Sequence, residues 1–399
     1  MNPTKFLYRA PLLDCKQQVM GYRLAWQNAD KSSARPAGAG LGQLLDLFAQ
    51  CPEKAESGRF FFDAGTAALP AEALQGLKPE STVFVFDQSD LVGAGRIPLA
   101  MSLYDQGFGL ALCNADLALL ESDHSLLSLM THLELDWGHP ELTRIVNFAR
   151  LAEPPLGVVV RGISDWQTFD ACAALGLMGF FGNICVAPRQ PRPSARLGGQ
   201  TVLVLQLMQM VRDNADVRDM EKLLKRDATL SFKLLQHINA ASFGIKVEIE
   251  SLSHAVMMLG YSPFYRWLAV VLAMTNSQAF CPALLQAAIV RGRFVELLGV
   301  QLFSRSEAEN LFVVGFFSLL DRLLGVPIEQ VLREISLPTT IVQALLHREG
   351  VYGPLLALAE ACEQERGSAS ERADDLFMTA AQVNKAHWSA LVWTQNRKI

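Results

Sequence analysis

Three aspartates in the first half of the chain stand where strands would end: Asp63 closes the β-rich run 59–63, Asp87 closes 82–87, and Asp116 follows the run 107–112. Carboxylates delivered side by side from the ends of parallel strands are what two-metal phosphodiester hydrolysis requires, since several must converge on cations about 3.5–4 Å apart. The plainer reading of all three is a set of turn and helix-capping carboxylates facing water. Two arginines share that setting, Arg23 inside the stretch 21–26 and Arg161 at the end of 157–161. Guanidinium groups repel metal ions, and their planar forks suit phosphate. Histidine offers less. The chain has no His-Asp dipeptide, and His237, His254, His347 and His387 are too far apart for two to share a helix face at i+3 or i+4. His254 reads as a partly buried structural side chain. Neither a Walker-type phosphate loop nor Gly-x-Ser-x-Gly occurs. Gly38 to Gly42 is glycine-rich but lacks a preceding strand, and reads as a lead-in to a helix over 44–50.

The elements that position these residues fall into two halves. A length of 399 residues suggests about two domains, and 50% hydrophobic residues argue against long disordered stretches. Lys and Arg number 35 against 40 Asp and Glu, with no basic block, so nucleic acid is a poor partner. The longest apolar runs, 267–274 and 311–320, fall short of the roughly 20 residues of a membrane span and read as core helices. With no secretory signal pattern at the start, the cytoplasm is the expected compartment. Seven cysteines with no Cys-x-x-Cys pair fit reduced, mostly buried thiols.

Up to about residue 185, β-rich runs apolar on both faces (59–63, 82–87, 107–112, 144–148, 157–161) alternate with helical segments, as in an α/β layer or barrel. A full eight-fold barrel usually takes about 250 residues, so helices or loops must be shortened or absent. Three prolines and three arginines between Ala187 and Arg196 mark the domain boundary. Beyond Gly199 the period is helical. Asp216 is an N-cap; Leu230, Leu234, Leu235 and Ile238 form a stripe ending near Gly244; Ser262-Pro263 opens a helix; Ser306 to Glu309 is a capping box ahead of 311–324, which Gly325 closes.

Two family resemblances lie over these halves. Phe6 to Asp14 and Val19 to Tyr22 resemble the opening strand pair of EAL domains, barrels that hydrolyse cyclic di-GMP. Leu223 to Leu235, Ile238 to Gly244 and Ser251 to Gly260 resemble, in order and spacing, the HDOD domain, a helical signalling module related to HD phosphohydrolases. The chain thus resembles EAL–HDOD signal-transduction proteins of bacteria. By that resemblance Arg23 stands where the family carries its name-giving Glu, and Gln27 where an Arg contacts the dinucleotide. Asp63 replaces a metal-binding Asn and is the one candidate metal ligand. Val85 stands at about the position of a Glu, with Asp87 close by if the alignment slips; Cys113 to Asp116 stand at the paired aspartates, Asn147 to Ala149 at Lys-Ile-Asp, Arg161 at a later Glu, and Phe181 at a Gln. Arg23 and Arg161 then form a candidate anion pocket, with salt bridges to nearby acids as the alternative. The HDOD family lacks the His-Asp ligands of HD hydrolases.

The expected protein is a degenerate, shortened TIM-like EAL barrel over 1–187, a Pro/Arg linker over 188–198 and an all-α HDOD-like domain over 199–399. It is expected to be a pseudo-enzyme without catalytic residues, resident metal or cofactor, acting in cyclic di-GMP-related signalling by binding a protein or ligand; an oligomer is compatible with it. The alternatives are a cyclic di-GMP sensor and a residual phosphodiesterase. A mouth open at the strand ends favours the sensor, and one plugged by Trp26, Phe62 and Phe181 a scaffold. The tail from Leu376 to Trp393 is expected to close the helical core.

Overall fold

The computed structural model describes residues 5–27, 40–51, 58–65, 74–93, 95–187, 197–227, 230–231, 239, 249, 251–275 and 281–396. Most of the linker, the stripe 234–238 with Gly244, His237 and Gly38-Ala39 lie outside the described residues. The chain forms two compact units, residues 1–187 with 361–388, and 188–360 with 389–399. Residues 361–388, assigned by sequence to the helical half, therefore belong with the first unit.

The first unit is a closed barrel of eight strands in sequence order: β1 (Leu7–Leu13), β2 (Val19–Trp26), β3 (Arg59–Asp63), β4 (Thr82–Asp87), β5 (Gly109–Cys113), β6 (His132–Asp136), β7 (Gly157–Arg161) and β8 (Gly179–Phe181). β2 to β8 run parallel; β1 runs antiparallel to both β2 and β8, so its first residues lie at the end where the other strands finish. Two strands depart from the sequence expectation. The run 144–148 lies in the helix Leu142–Leu151, whose buried Leu142, Ile145, Val146 and Ala149 have helical spacing. The strand in its place is β6, whose Glu134 and Asp136 break the apolar run that marks the other strands.

Alternation along each strand sends every second side chain inward. Leu12, Phe61, Val83, Val85, Ala111, Cys113, Val159 and Phe181 fill the interior as one cluster, with the Phe61 and Phe181 rings edge to face at 5.0 Å. Trp26 and Phe62 point the other way. The Trp26 indole donates to the Gly40 carbonyl (2.8 Å), and Phe62 packs on Phe48 and Phe84. Gly40 takes φ 146°, and a Cβ there would lie 2.6 Å from the Trp26 ring, so glycine is required at this point.

β1 and β2 are joined by a tight hairpin, so the barrel has no crossover helix there, and residues 361–388 supply the missing cover. The Leu7 amide donates to Asn384 Oδ1 (2.8 Å), Asn384 Nδ2 donates to the Lys5 carbonyl (2.8 Å), and Arg9 donates to the buried His387. Trp388 packs on Phe48 with ring centroids 4.0 Å apart, tilted by 35°, and reaches Phe60.

The second unit is helical in its described residues. The helices Pro282–Gly299 and Arg305–Phe317 pack with little room between backbones: a Cβ on Gly292 would sit 2.9 Å from the Phe312 carbonyl oxygen, and one on Gly315 2.7 Å from that of Arg291. Asp216 caps its helix as expected, accepting from the Arg218 amide (2.8 Å). The capping box is Ser304 with Glu307, two residues earlier than the sequence suggests. The helix Tyr261–Met274 starts from Gly260, so Ser262 lies in its first turn. The expected helix 311–324 is broken at Ser318, between Arg305–Phe317 and Leu320–Leu324; Gly325 closes the latter in the left-handed conformation at φ 68°. Six of the seven cysteines are buried and Cys15 is exposed. Among the described residues no helix is long and apolar enough to cross a membrane.

Burial, and then the charge of Arg59, lowers the pKa of His132 to about 4; burial, then Arg9, holds His387 well below the usual histidine range. Both rings are neutral in the fold and titrate near pH 6.5 once unfolded, so their contribution is complete above about pH 6.5 and is lost as pH falls toward about 4. Thermal melting should show a drop in Tm between about pH 7 and pH 5 that His132→Gln reduces; an equal drop in the variant would contradict this account.

Candidate functional site

The inward alternation that fills the barrel with apolar side chains ends in a charged layer where the parallel strands finish. Arg23 from β2 lies between Asp63 of β3 and Glu134 of β6, one Nη donating to each carboxylate. Glu134 is fully buried, and the Arg23 and Asp63 side chains are 11% and 17% exposed. Glu134 Oε1 also takes a long contact from Cys113 Sγ (3.6 Å). Burial opposes the Arg23 charge, but Asp63 and then Glu134 outweigh it and push the guanidinium pKa above its ordinary value. Below the cluster Phe181 sits 6.0 Å from the Arg23 guanidinium carbon. Of the three expected plugs, Phe181 alone is inside; Trp26 and Phe62 belong to the outer layer.

Arg161 from β7 is the neighbouring cation. Its Nη2 donates to Asn114 Oδ1 (2.9 Å), its Nη1 lies 3.8 Å from Glu134, and its Nε lies 3.9 Å from Asp136. Asn114 has φ 55°, a left-handed conformation that its short polar side chain tolerates, and its Nδ2 reaches Asp87 Oδ2 at 3.5 Å. Asp87 accepts from the Ser89 amide (3.0 Å) and hydroxyl (2.7 Å). Asp116 caps the helix that follows it, accepting from the Leu119 amide (2.8 Å).

Arg23, Arg161 and Asp63, picked out by sequence, are thus brought to one mouth, and both arginines are paired with acids. Glu134 and Asp136 were missed. Alternation of acid and apolar residues in 132–136 was the available signal, and the Lys-Ile-Asp comparison passed over it by falling on helical Asn147 to Ala149. Gln27 points to main-chain carbonyls, donating to those of Ala361 (2.7 Å) and Gln364 (2.8 Å).

A divalent metal pair does not fit this arrangement as it stands. The Arg23 guanidinium occupies the place between Asp63 and Glu134, and among the described residues no three His, Cys, Asp or Glu side chains converge on one ion. Removing the cation leaves two carboxylates facing each other, one of them fully buried. Arg23→Met should cost about 3–5 kcal/mol in chemical denaturation, and adding Asp63→Asn and Glu134→Gln should recover much of it; a silent single variant would contradict the pairing.

Comparison with known proteins follows the same division. The HDOD domain model matches residues 200–323. The chain is 32% identical over 164 residues, 41% of its length, to the cyclic di-GMP phosphodiesterase CdgJ of Vibrio cholerae serotype O1, and 26% identical over 194 residues, 48% of its length, to the uncharacterized protein YuxH of Bacillus subtilis. It spans less than half of those relatives, 38% and 47% of their own lengths. Among solved structures, the PaMucR phosphodiesterase in complex with c-di-GMP aligns with 45% of this chain, over 89% of its own length, at 15% identity and a TM-score of 0.35. A standalone EAL protein from Vibrio cholerae O395 in its c-di-GMP-bound form aligns with the same shares and identity at 0.34. Such scores are low, and the barrel rests on its own strand pairing. The CdgJ match overturns the expectation that the chain is not an enzyme, since a relative at 32% identity carries the name of a phosphodiesterase. That expectation counted ligands with Glu134 and Asp136 left out. The fold expectation stands: a closed eight-stranded barrel is followed in sequence by an HDOD domain at residues 200–323.

Proposed function

We propose that the chain works in cyclic di-GMP signalling and binds a guanine nucleotide at the barrel mouth. One observation carries this reading: donors and acceptors stand side by side around a cation that solvent reaches. The Arg161 side chain is 24% exposed and Asp136 is 56% exposed, while Arg23 is held inside. Asp63, Glu134 and Asp136 pair with the two guanidinium groups and Asp87 stands one side chain away, beyond Asn114, so a bare anion meets net repulsion. A guanine nucleotide answers both signs. Its phosphate accepts from Arg161 in charge-assisted hydrogen bonds, and the N–H groups on its base edge donate to a carboxylate such as Asp87 or Asp136. The HDOD match and the name of the Vibrio cholerae relative support the signalling context.

Calorimetric titration with cyclic di-GMP, with calcium and then with chelator, tests the reading. The wild type should bind, and Arg161→Ala should bind about tenfold or more weakly, as loss of a hydrogen bond to a charged group implies. Arg161→Lys should recover part of that loss, because a point charge replaces a fork. Absence of heat from the wild type in both conditions would sink the proposal. Chromatography of the same mixtures reads turnover, and a linear dinucleotide product would place hydrolysis at this mouth.

A further inference from the structure

The turn after the helix Gly353–Cys362 lies at the same end of the barrel, on the β8–β1–β2 side, within the first unit. Two side-chain amides that follow strand ends are spent on it. Gln27, just after β2, donates Nε2 to the carbonyls of Ala361 (2.7 Å) and Gln364 (2.8 Å), and Asn183, just after β8, donates Nδ2 to that of Glu363 (2.7 Å). Arg9 on β1 adds an ion pair to the Glu363 carboxylate at 3.4 Å. Three carbonyl oxygens of the turn thus take both N–H donors of Gln27 and one of the two of Asn183, at positions that flank the mouth, and a donor spent on a carbonyl is not open to a phosphate. The turn is acidic as well. Glu365 is exposed, and its charge is felt at Tyr8 of β1, a phenol on which the charge of Arg23 also acts.

From this geometry we infer that residues 361–367 are a latch whose carbonyls stand in for ligand oxygens at Gln27 and Asn183, so that its release strengthens nucleotide binding at the mouth. The inference rests on the nucleotide reading above and adds a regulatory contact to it. Gly367 gives a way to open the latch without replacing either amide side chain. A Cβ at this position would lie 2.6 Å from the Ala361 carbonyl oxygen and 2.9 Å from Gln27 Nε2, so Gly367→Ala forces the turn away from Gln27. Glu365→Gln is a milder second variant that removes a like charge from the path of an anionic ligand and leaves the fold's contacts in place.

Hydrogen exchange and calorimetry with cyclic di-GMP, run on the full chain and on both variants, test the latch. In Gly367→Ala, exchange at 361–367 should rise while the rest of the barrel stays protected, and affinity should tighten about tenfold, the worth of a hydrogen bond to a charged group. Glu365→Gln should tighten binding less and flatten its salt dependence. Unchanged exchange in Gly367→Ala would show that the turn is not held as described. Raised exchange with unchanged or weaker binding would reduce the turn to a structural cover, leaving the nucleotide reading intact. If neither wild type nor the opened variant binds cyclic di-GMP, the nucleotide reading itself fails and takes the latch with it.

Discussion

A fully buried carboxylate needs a partner, and in this barrel Glu134 has Arg23. An unpaired charge of that kind costs several kcal/mol, so the β2, β3 and β6 ends are held in the one relation that lets a single guanidinium reach both Glu134 and Asp63. The rest of the mouth follows. With Arg23 committed inside and lying over Phe181, Arg161 is left as the cation that solvent reaches, and Asp136 and Asn114 are placed beside it. The chemistry open to the mouth is therefore set by which cation is buried and which is exposed.

A second constraint comes from connectivity. A barrel strand is covered on its outer face by the helices that link strands, and a hairpin provides none. Between β1 and β2 the shortage is made good by residues far along the chain, through Asn384, His387 and Trp388. The barrel thus depends on residues beyond the helical domain's matched segment for its own completion. The same stretch, entering through the turn at 361–367, reaches the strand ends, so cover and mouth are parts of one device.

Much of this was legible in the sequence. Alternating β-rich and helical runs gave the α/β half, the change to helical period gave the other, and the resemblance of Ser251 to Gly260 and its neighbours pointed to the HDOD domain. Arg23, Arg161 and Asp63 do meet. The missed strand and its acids have a physical cause: a barrel interior tolerates charge at its ends, so β6, with Glu134 and Asp136, lacked the apolar signature used to find strands, while the amphipathic helix Leu142–Leu151 looked apolar enough to take its place. The capping box moved by two residues because Ser304 and Ser306 both have acceptors at the right offset, and only geometry separates them. The cover from 361–388 was invisible because contacts across more than 300 residues leave no local pattern.

The central claim is that Arg23 is a fixed part of the barrel and Arg161 its ligand-facing cation, and a crystal structure of the chain with cyclic di-GMP and calcium tests it most directly. The account predicts a phosphate on Arg161 with Arg23 still between Asp63 and Glu134. Arg23 swung out of the mouth, with metal ions between those carboxylates and the phosphate, would contradict it.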